Sequence, residues 1–80
     1  MLKPKINPMD WITVGIHNCV VMKVYLDDVK EDALVVFNND KPTTHNIEWT
    51  GSSCEFSKST DNGGYPLETS PFVQKLKRGK

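Results

Sequence analysis

The sequence predicts a mainly β domain, in which five short antiparallel strands curl into a small barrel that a short C-terminal helix closes. Three observations support this fold class. Apolar and polar residues alternate along much of residues 11–57, as in strands with a buried face. Turn-forming residues separate the alternating stretches. Residues 71–78 switch to helical spacing. With 80 residues, 38% of them hydrophobic, the chain can bury one modest core.

The first two predicted segments are an arm and a strand. Residues 1–10 hold two prolines and few apolar groups, which predicts an N-terminal arm leading into a single domain of residues 11–80. Residues 11–16 are β-branched or aromatic apart from one glycine, which predicts a strand. Its apolar face would carry Ile12, Val14 and Ile16. A tight turn is predicted to follow at His17–Asn18.

The second predicted strand covers residues 19–26 and has apolar side chains on both faces. One face would carry Val20, Met22, Val24 and Leu26, and the other Val21, Lys23 and Tyr25. A charged connection over residues 27–32 leads to a third strand, Ala33–Phe37. The turn at residues 38–42 is rich in residues that tolerate left-handed backbone.

Two more strands and a helix complete the predicted domain. Residues 43–50 and 54–57 alternate as strands, and a loop is predicted over residues 58–67. Ser70 is a favoured N-cap and Pro71 a favoured first helical residue, so a helix is predicted over residues 71–78. A curled sheet with this helix on one side would bury apolar residues of both faces, as in an SH3-like barrel.

Four motifs carry a resemblance to a protein group. They are the stretch from Trp11 to Val21, Trp49-Thr50-Gly51, Gly63-Gly64-Tyr65 and the stretch from Phe72 to Leu76. Together they resemble small bacterial proteins of about this length with an SH3-like barrel. The resemblance covers residues 10–79 and implies a single barrel domain, but it implies no activity.

Composition limits the compartment and the class of partner. The formal net charge is zero, which excludes a uniformly basic coat for nucleic acid. No stretch approaches the roughly 18 apolar residues of a membrane-spanning helix, and residues 1–8 lack the apolar segment of a signal peptide. Two cysteines are too few for a secreted disulfide scaffold. We therefore expect a cytoplasmic protein with reduced thiols and no membrane partner.

Few residues have the pattern of a reactive site. His17, Cys19, His45 and Cys54 are zinc-ligand types, but no Cys-x-x-Cys pair is present, so buried thiols are the favoured interpretation. His17 and Cys19 would share a strand face and could form a thiolate–imidazolium pair, although no helix N-terminus is near to activate it. We expect no catalysis, no metal and no cofactor.

Two surfaces are candidates for binding. Trp11, Tyr25 and Tyr65 are the predicted partner-contacting aromatic residues. Charge is polarised: residues 11–68 carry four basic and nine acidic side chains, whereas residues 69–80 carry four basic and none acidic. Lys75, Lys77 and Arg78 are therefore predicted anion contacts, with solvated cations at a helix end as the alternative.

The function expected from these surfaces is that of a non-catalytic binding module. The leading hypothesis is protein–protein association, with a homodimer as one form of it, because the second strand has more apolar surface than one buried face needs. The alternative hypothesis is weak nucleic-acid binding through the basic C-terminal helix.

Overall fold

Five antiparallel strands and one short helix form a curled half-barrel. The computed structural model describes residues 5–25, 32–57 and 64–80. The elements are β1 (Trp11–Val14), β2 (His17–Val24), β3 (Ala33–Phe37), β4 (Thr43–Trp49), β5 (Cys54–Phe56) and α1 (Pro71–Arg78). The strands lie side by side in chain order, and the curl of the sheet brings β1 into contact with β5. The predicted mainly β fold with a C-terminal helix is confirmed.

The sheet separates two clusters of buried side chains. The inner cluster, enclosed by the curl, consists of Val14, Cys19, Val21, Ala33, Val35 and Ile47. The helix-side cluster, between the sheet and α1, consists of Val20, Val36, Val73 and Leu76. All ten side chains are at most 3% exposed. Both apolar faces of β2 are therefore covered within one molecule, one by the curl and the other by the helix.

The first hairpin turns earlier than the sequence predicts. Val14 pairs with His17, so the connection is the dipeptide Gly15–Ile16. Gly15 has a φ of +62°, and a type II′ hairpin places glycine at this first position. The predicted turn at His17–Asn18 is wrong, because these residues begin β2. The prediction that Ile16 lies on the buried strand face is also wrong, since its side chain is 93% exposed at the hairpin tip.

A β-bulge in β2 changes the predicted alternation of side chains. The pairing of β2 with β3 shifts by one residue between Val21 and Lys23, which makes Met22 the extra residue. Met22 packs against the helix-side cluster, whereas Val24 packs against the inner cluster. The prediction that Val20 and Val24 share a face is therefore wrong, because one inserted residue exchanges the faces of everything after it.

The remaining elements follow the predicted bounds closely. β3 and α1 have the predicted bounds, while β4 and β5 each end one residue early. Ser70 Oγ accepts a hydrogen bond from the Phe72 N–H, and the Gly79 N–H donates to the Leu76 carbonyl. β2 begins and ends two residues before its predicted bounds. Residues 26–31 and 58–63, which include most of the acidic connection and of the predicted loop, lie outside the described residues.

The described part of the predicted arm is attached to the sheet. The Met9 N–H donates to the Val21 carbonyl, and the Val21 N–H donates to the Asp10 carbonyl. Ile6 packs against the inner cluster. Lys75 Nζ of α1 donates to the Met9 carbonyl, which joins the helix to the arm. Within the described ranges, no helix has the length and apolar character needed to cross a bilayer.

Candidate functional site at the hairpin end

Several candidate residues meet at one end of the half-barrel. Because successive strands run in opposite directions, the β1–β2 turn, the β3–β4 connection and the end of β5 lie together. We call this the hairpin end. Gly79 and Lys80, which follow α1, also reach it, since they line a cleft together with the β1–β2 hairpin.

A cleft of about 250 Å³ lies between the β1–β2 hairpin, the β3–β4 connection and the end of α1. We call it the helix-end cleft. Its apolar lining includes Trp11, Ile16 and Leu76. Its polar lining residues include Asn18, Asn38, Asn39, His17 and Lys80. Sites for drug-sized ligands usually measure roughly 300–1,000 Å³, so this cleft suits a smaller group.

The sheet and the helix fix the positions of the lining residues. Trp11 packs against the helix-side cluster, to which Leu76 belongs. Asn38 has a φ of +73°, a left-handed conformation that asparagine tolerates better than most residues, and this turns the chain beside the cleft. Thr13 Oγ1 donates to Asn18 Oδ1 at 3.3 Å across the hairpin. That bond engages the amide oxygen of Asn18, so the NH₂ group is its donor end.

Four aromatic rings pack together beside the cleft, inside the mouth of the half-barrel. The ring centroids of His17 and Phe37 are 5.0 Å apart, those of Phe37 and Phe56 4.9 Å, and those of His45 and Phe56 5.1 Å. His45 Nε2 lies 3.1 Å from the Ser57 carbonyl oxygen. Both imidazoles are therefore used in packing, and His17 connects this ring cluster to the helix-end cleft.

The thiolate–imidazolium pair that His17 and Cys19 could have formed is not present, because the Sγ partner is a backbone oxygen. Cys19 is fully buried, and its Sγ lies 3.7 Å from the backbone carbonyl of His17. Burial raises the pKa of its thiol from 9.0 to about 11, against the opposing effect of a backbone hydrogen bond from Val14. A protonated, inaccessible thiol is a poor nucleophile. Among the described residues, no three His, Cys, Asp or Glu side chains are grouped so as to hold a metal ion.

The three aromatic residues predicted to bind a partner lie at three separate places. Trp11 is half-buried in the helix-end cleft. Tyr25 follows β2 at the opposite end and is half-buried, with its hydroxyl donating to Asn46 Oδ1 at 2.6 Å. Tyr65 is 71% exposed, with Lys41 Nζ 4.7 Å from the ring centroid. The structure therefore brings only the first of these rings into the cleft.

Two of the three predicted anion contacts have partners within the molecule. Lys75 donates to the Met9 carbonyl, and Lys77 Nζ lies 3.5 Å from Glu68 Oε1. Arg78 is exposed at the end of α1. Lys80, which belongs to the same basic stretch as the three predicted contacts, lines the cleft.

Sequence reasoning missed Ile16 and the three asparagines of the cleft. One signal was available for Ile16, since a Gly-X pair between two β-branched stretches is typical of a type II′ hairpin and would place the second residue at its tip. No comparable signal was available for Asn38 and Asn39, because their position beside the hairpin depends on the sheet as a whole.

Comparison with known proteins finds no relative of this chain. No protein-family model, no curated protein and no solved structure matches this chain. The resemblance to small bacterial proteins with an SH3-like barrel stays a prediction.

Proposed function

We propose that this protein is a non-catalytic binding module that associates with another protein through the helix-end cleft. The observation that carries the proposal is the position of Ile16. A β-branched aliphatic side chain is 93% exposed at the tip of a two-residue hairpin, on the rim of a cleft whose floor includes Trp11 and Leu76. Neither the turn nor the two clusters of buried side chains needs an isoleucine there, whereas an apolar contact surface does.

The strand β2 does not itself require a partner chain. Apolar residues on both faces of β2 suggested that another chain must cover one face. Val20 and Val21 are both fully buried within the single chain, so β2 needs no such cover. The apolar surface available for association lies instead at the hairpin tip and in the cleft.

The size of the site favours a short segment of a partner protein. A standard stable interface buries about 800 Å² on each partner. This is about a seventh of the 5384 Å² surface of the protein. A cleft of about 250 Å³ with one exposed aliphatic residue at its rim holds one or two side chains instead. A second copy of the chain is thus the less favoured occupant.

We place this association in the cytoplasm, in keeping with Cys19 and Cys54, which are both free thiols.

Selection from a displayed library of random peptides tests the proposal. Selected peptides are then titrated against a Trp49→Phe variant, in which Trp11 is the remaining tryptophan and its fluorescence reports on the cleft. We expect Ile16→Ser to weaken binding about tenfold or more, because it removes an apolar contact. Leu67→Ser is the matched control, since Leu67 is also 77% exposed but does not line the cleft.

Three results would contradict the proposal. The first is that the library yields no peptide that binds the cleft. The second is that Ile16→Ser and Leu67→Ser lose affinity for the selected peptides equally. The third is a stable homodimer by sedimentation that forms without Ile16. The nucleic-acid alternative predicts oligonucleotide binding that falls steeply between about 50 and 200 mM salt, whereas an apolar contact with a peptide should change little over that range.

A further inference from the structure

We infer that the partner segment carries a carboxylate next to the apolar side chain that enters the helix-end cleft. This inference rests on the proposed function and adds the chemistry of the partner. It depends on the charge of the lining, on the donor groups at the rim and on the apolar floor.

Charge in and around the cleft is positive. Among the described residues that line the cleft, the one charged side chain is that of Lys80, and Arg78 is exposed two residues before it. The C-terminal end of α1 contributes about half a negative charge, which the full positive charge of Lys80 exceeds. Asp40 and Arg78 are both exposed, each is adjacent in sequence to a lining residue without lining the cleft itself, and their charges offset each other. A carboxylate is the complementary group in a peptide.

Donor groups at the rim favour an acceptor on the ligand. The bond from Thr13 Oγ1 engages the oxygen of Asn18, so this side chain presents its NH₂ group. The amides of Asn38 and Asn39 can each donate or accept, so they too can bind an acceptor. Carboxylate oxygens accept such bonds more strongly than neutral carbonyl oxygens do.

The apolar floor specifies the neighbouring group of the ligand. Trp11 and Leu76 are backed by the helix-side cluster, so they form a fixed surface, and Ile16 adds an aliphatic side chain at the rim. An aliphatic side chain of a peptide would bury its surface against these residues while the adjacent carboxylate reaches Lys80.

A phosphate of nucleic acid is the competing anion, and the structure favours it less. Binding along a phosphate backbone needs a row of available cations and exposed rings for stacking. Lys75 and Lys77 already contact Met9 and Glu68, and Tyr25 is bonded to Asn46 at the opposite end.

The test compares three tetrapeptides with blocked ends. They are glycine–aspartate–leucine–glycine, its asparagine analogue and its aspartate–serine analogue. Binding is followed by Trp11 fluorescence in the Trp49→Phe variant and by the NMR shift of the Asn18 side-chain NH₂ group. We expect the first peptide to bind about fivefold more tightly than the asparagine analogue, as expected for a partly exposed charge contact. The serine analogue should bind more weakly still.

Two variants separate local charge from general charge. Lys80→Gln should remove most of the preference for aspartate over asparagine. Lys23→Gln removes a cation that is exposed on β2 but does not line the cleft, so it should leave the preference unchanged.

The outcomes distinguish this inference from the proposed function. Equal binding of the aspartate and asparagine peptides, with both lost in Ile16→Ser, would overturn the carboxylate inference and leave the proposed function standing. Failure of all peptides, including those selected from the library, would overturn both. Displacement of the aspartate peptide by an oligothymidylate of about eight nucleotides, at low salt only, would assign the cations to nucleic acid and also overturn the inference.

Discussion

Cys19 is a thiol whose proton is retained by burial. Its pKa in the folded protein is about 11, against an ordinary value of 9.0, because the inner cluster excludes water from the thiolate. Since the folded state holds the proton more tightly, the contribution of Cys19 to stability is complete below pH 9 and is lost as the pH rises towards 11. At about 1.4 kcal/mol per pKa unit, the loss is about 2–3 kcal/mol.

Replacing Cys19 with alanine should make the protein less sensitive to alkaline pH. We expect the free energy of unfolding in urea to fall more steeply between pH 9 and 11 for the wild type than for Cys19→Ala. The difference between the two proteins isolates the contribution of Cys19, so it is the informative quantity. Val73→Ala, which removes a buried side chain without a titrating group from the helix-side cluster, is the control and should keep the wild-type slope. Parallel slopes for the wild type and Cys19→Ala would contradict the prediction.

The bounds of a helix or strand could be predicted from sequence where local chemistry determines its ends. Ser70, Pro71 and Gly79 mark the ends of α1 through capping and backbone preferences, and these signals do not depend on the rest of the fold. β3 is bounded by charged and turn-forming residues and has its predicted length.

Features that depend on pairing between strands could not be predicted from local sequence signals. The bulge at Met22 depends on the register between β2 and β3. The sequence around it shows the same apolar alternation as a strand without a bulge. The contact of His17 with Phe37 and of His45 with Phe56 needs the register of several strands and the curl of the sheet. The cleft was missed for the same reason, since two connections and the end of α1 contribute to it.

The N-cap of α1 gives a test at the level of one element. Ser70→Ala removes the acceptor for the Phe72 N–H and should destabilise the protein by about 1 kcal/mol. Ser70→Asp is the matched variant, because aspartate also caps and its charge favours the helix N-terminus, so it should retain or exceed wild-type stability. Chemical denaturation measures both, and equal losses in the two variants would contradict a capping role.

At the scale of the whole molecule, β2 joins the two clusters of buried side chains. Val20 belongs to the helix-side cluster and Val21 to the inner cluster, yet the two are neighbours in the same strand. Loss of either cluster therefore exposes one face of a strand whose other face lies in the remaining cluster. We expect the helix and the sheet to unfold together.

Substitution on each face of β2 checks this coupling. Val20→Ala and Val21→Ala should each lower the free energy of unfolding by about 2 kcal/mol, through lost burial and a residual cavity. In both variants, thermal transitions followed by helical circular dichroism and by tryptophan fluorescence should coincide. A Val20→Ala protein that loses helical signal at a lower temperature than its fluorescence transition would show that α1 detaches independently.

The order of the strands in the sheet also bears on how quickly the protein folds. Each strand pairs with the one before it along the chain, so the ladder can grow by successive hairpins that close only short loops. Folding should be fast for a β protein, because sequence-local pairing lowers the entropic barrier. The docking of α1 is different, since it needs β2 and β3 already side by side to offer Val20 and Val36. The strands therefore pair first, and α1 packs against the surface of β2 and β3 last.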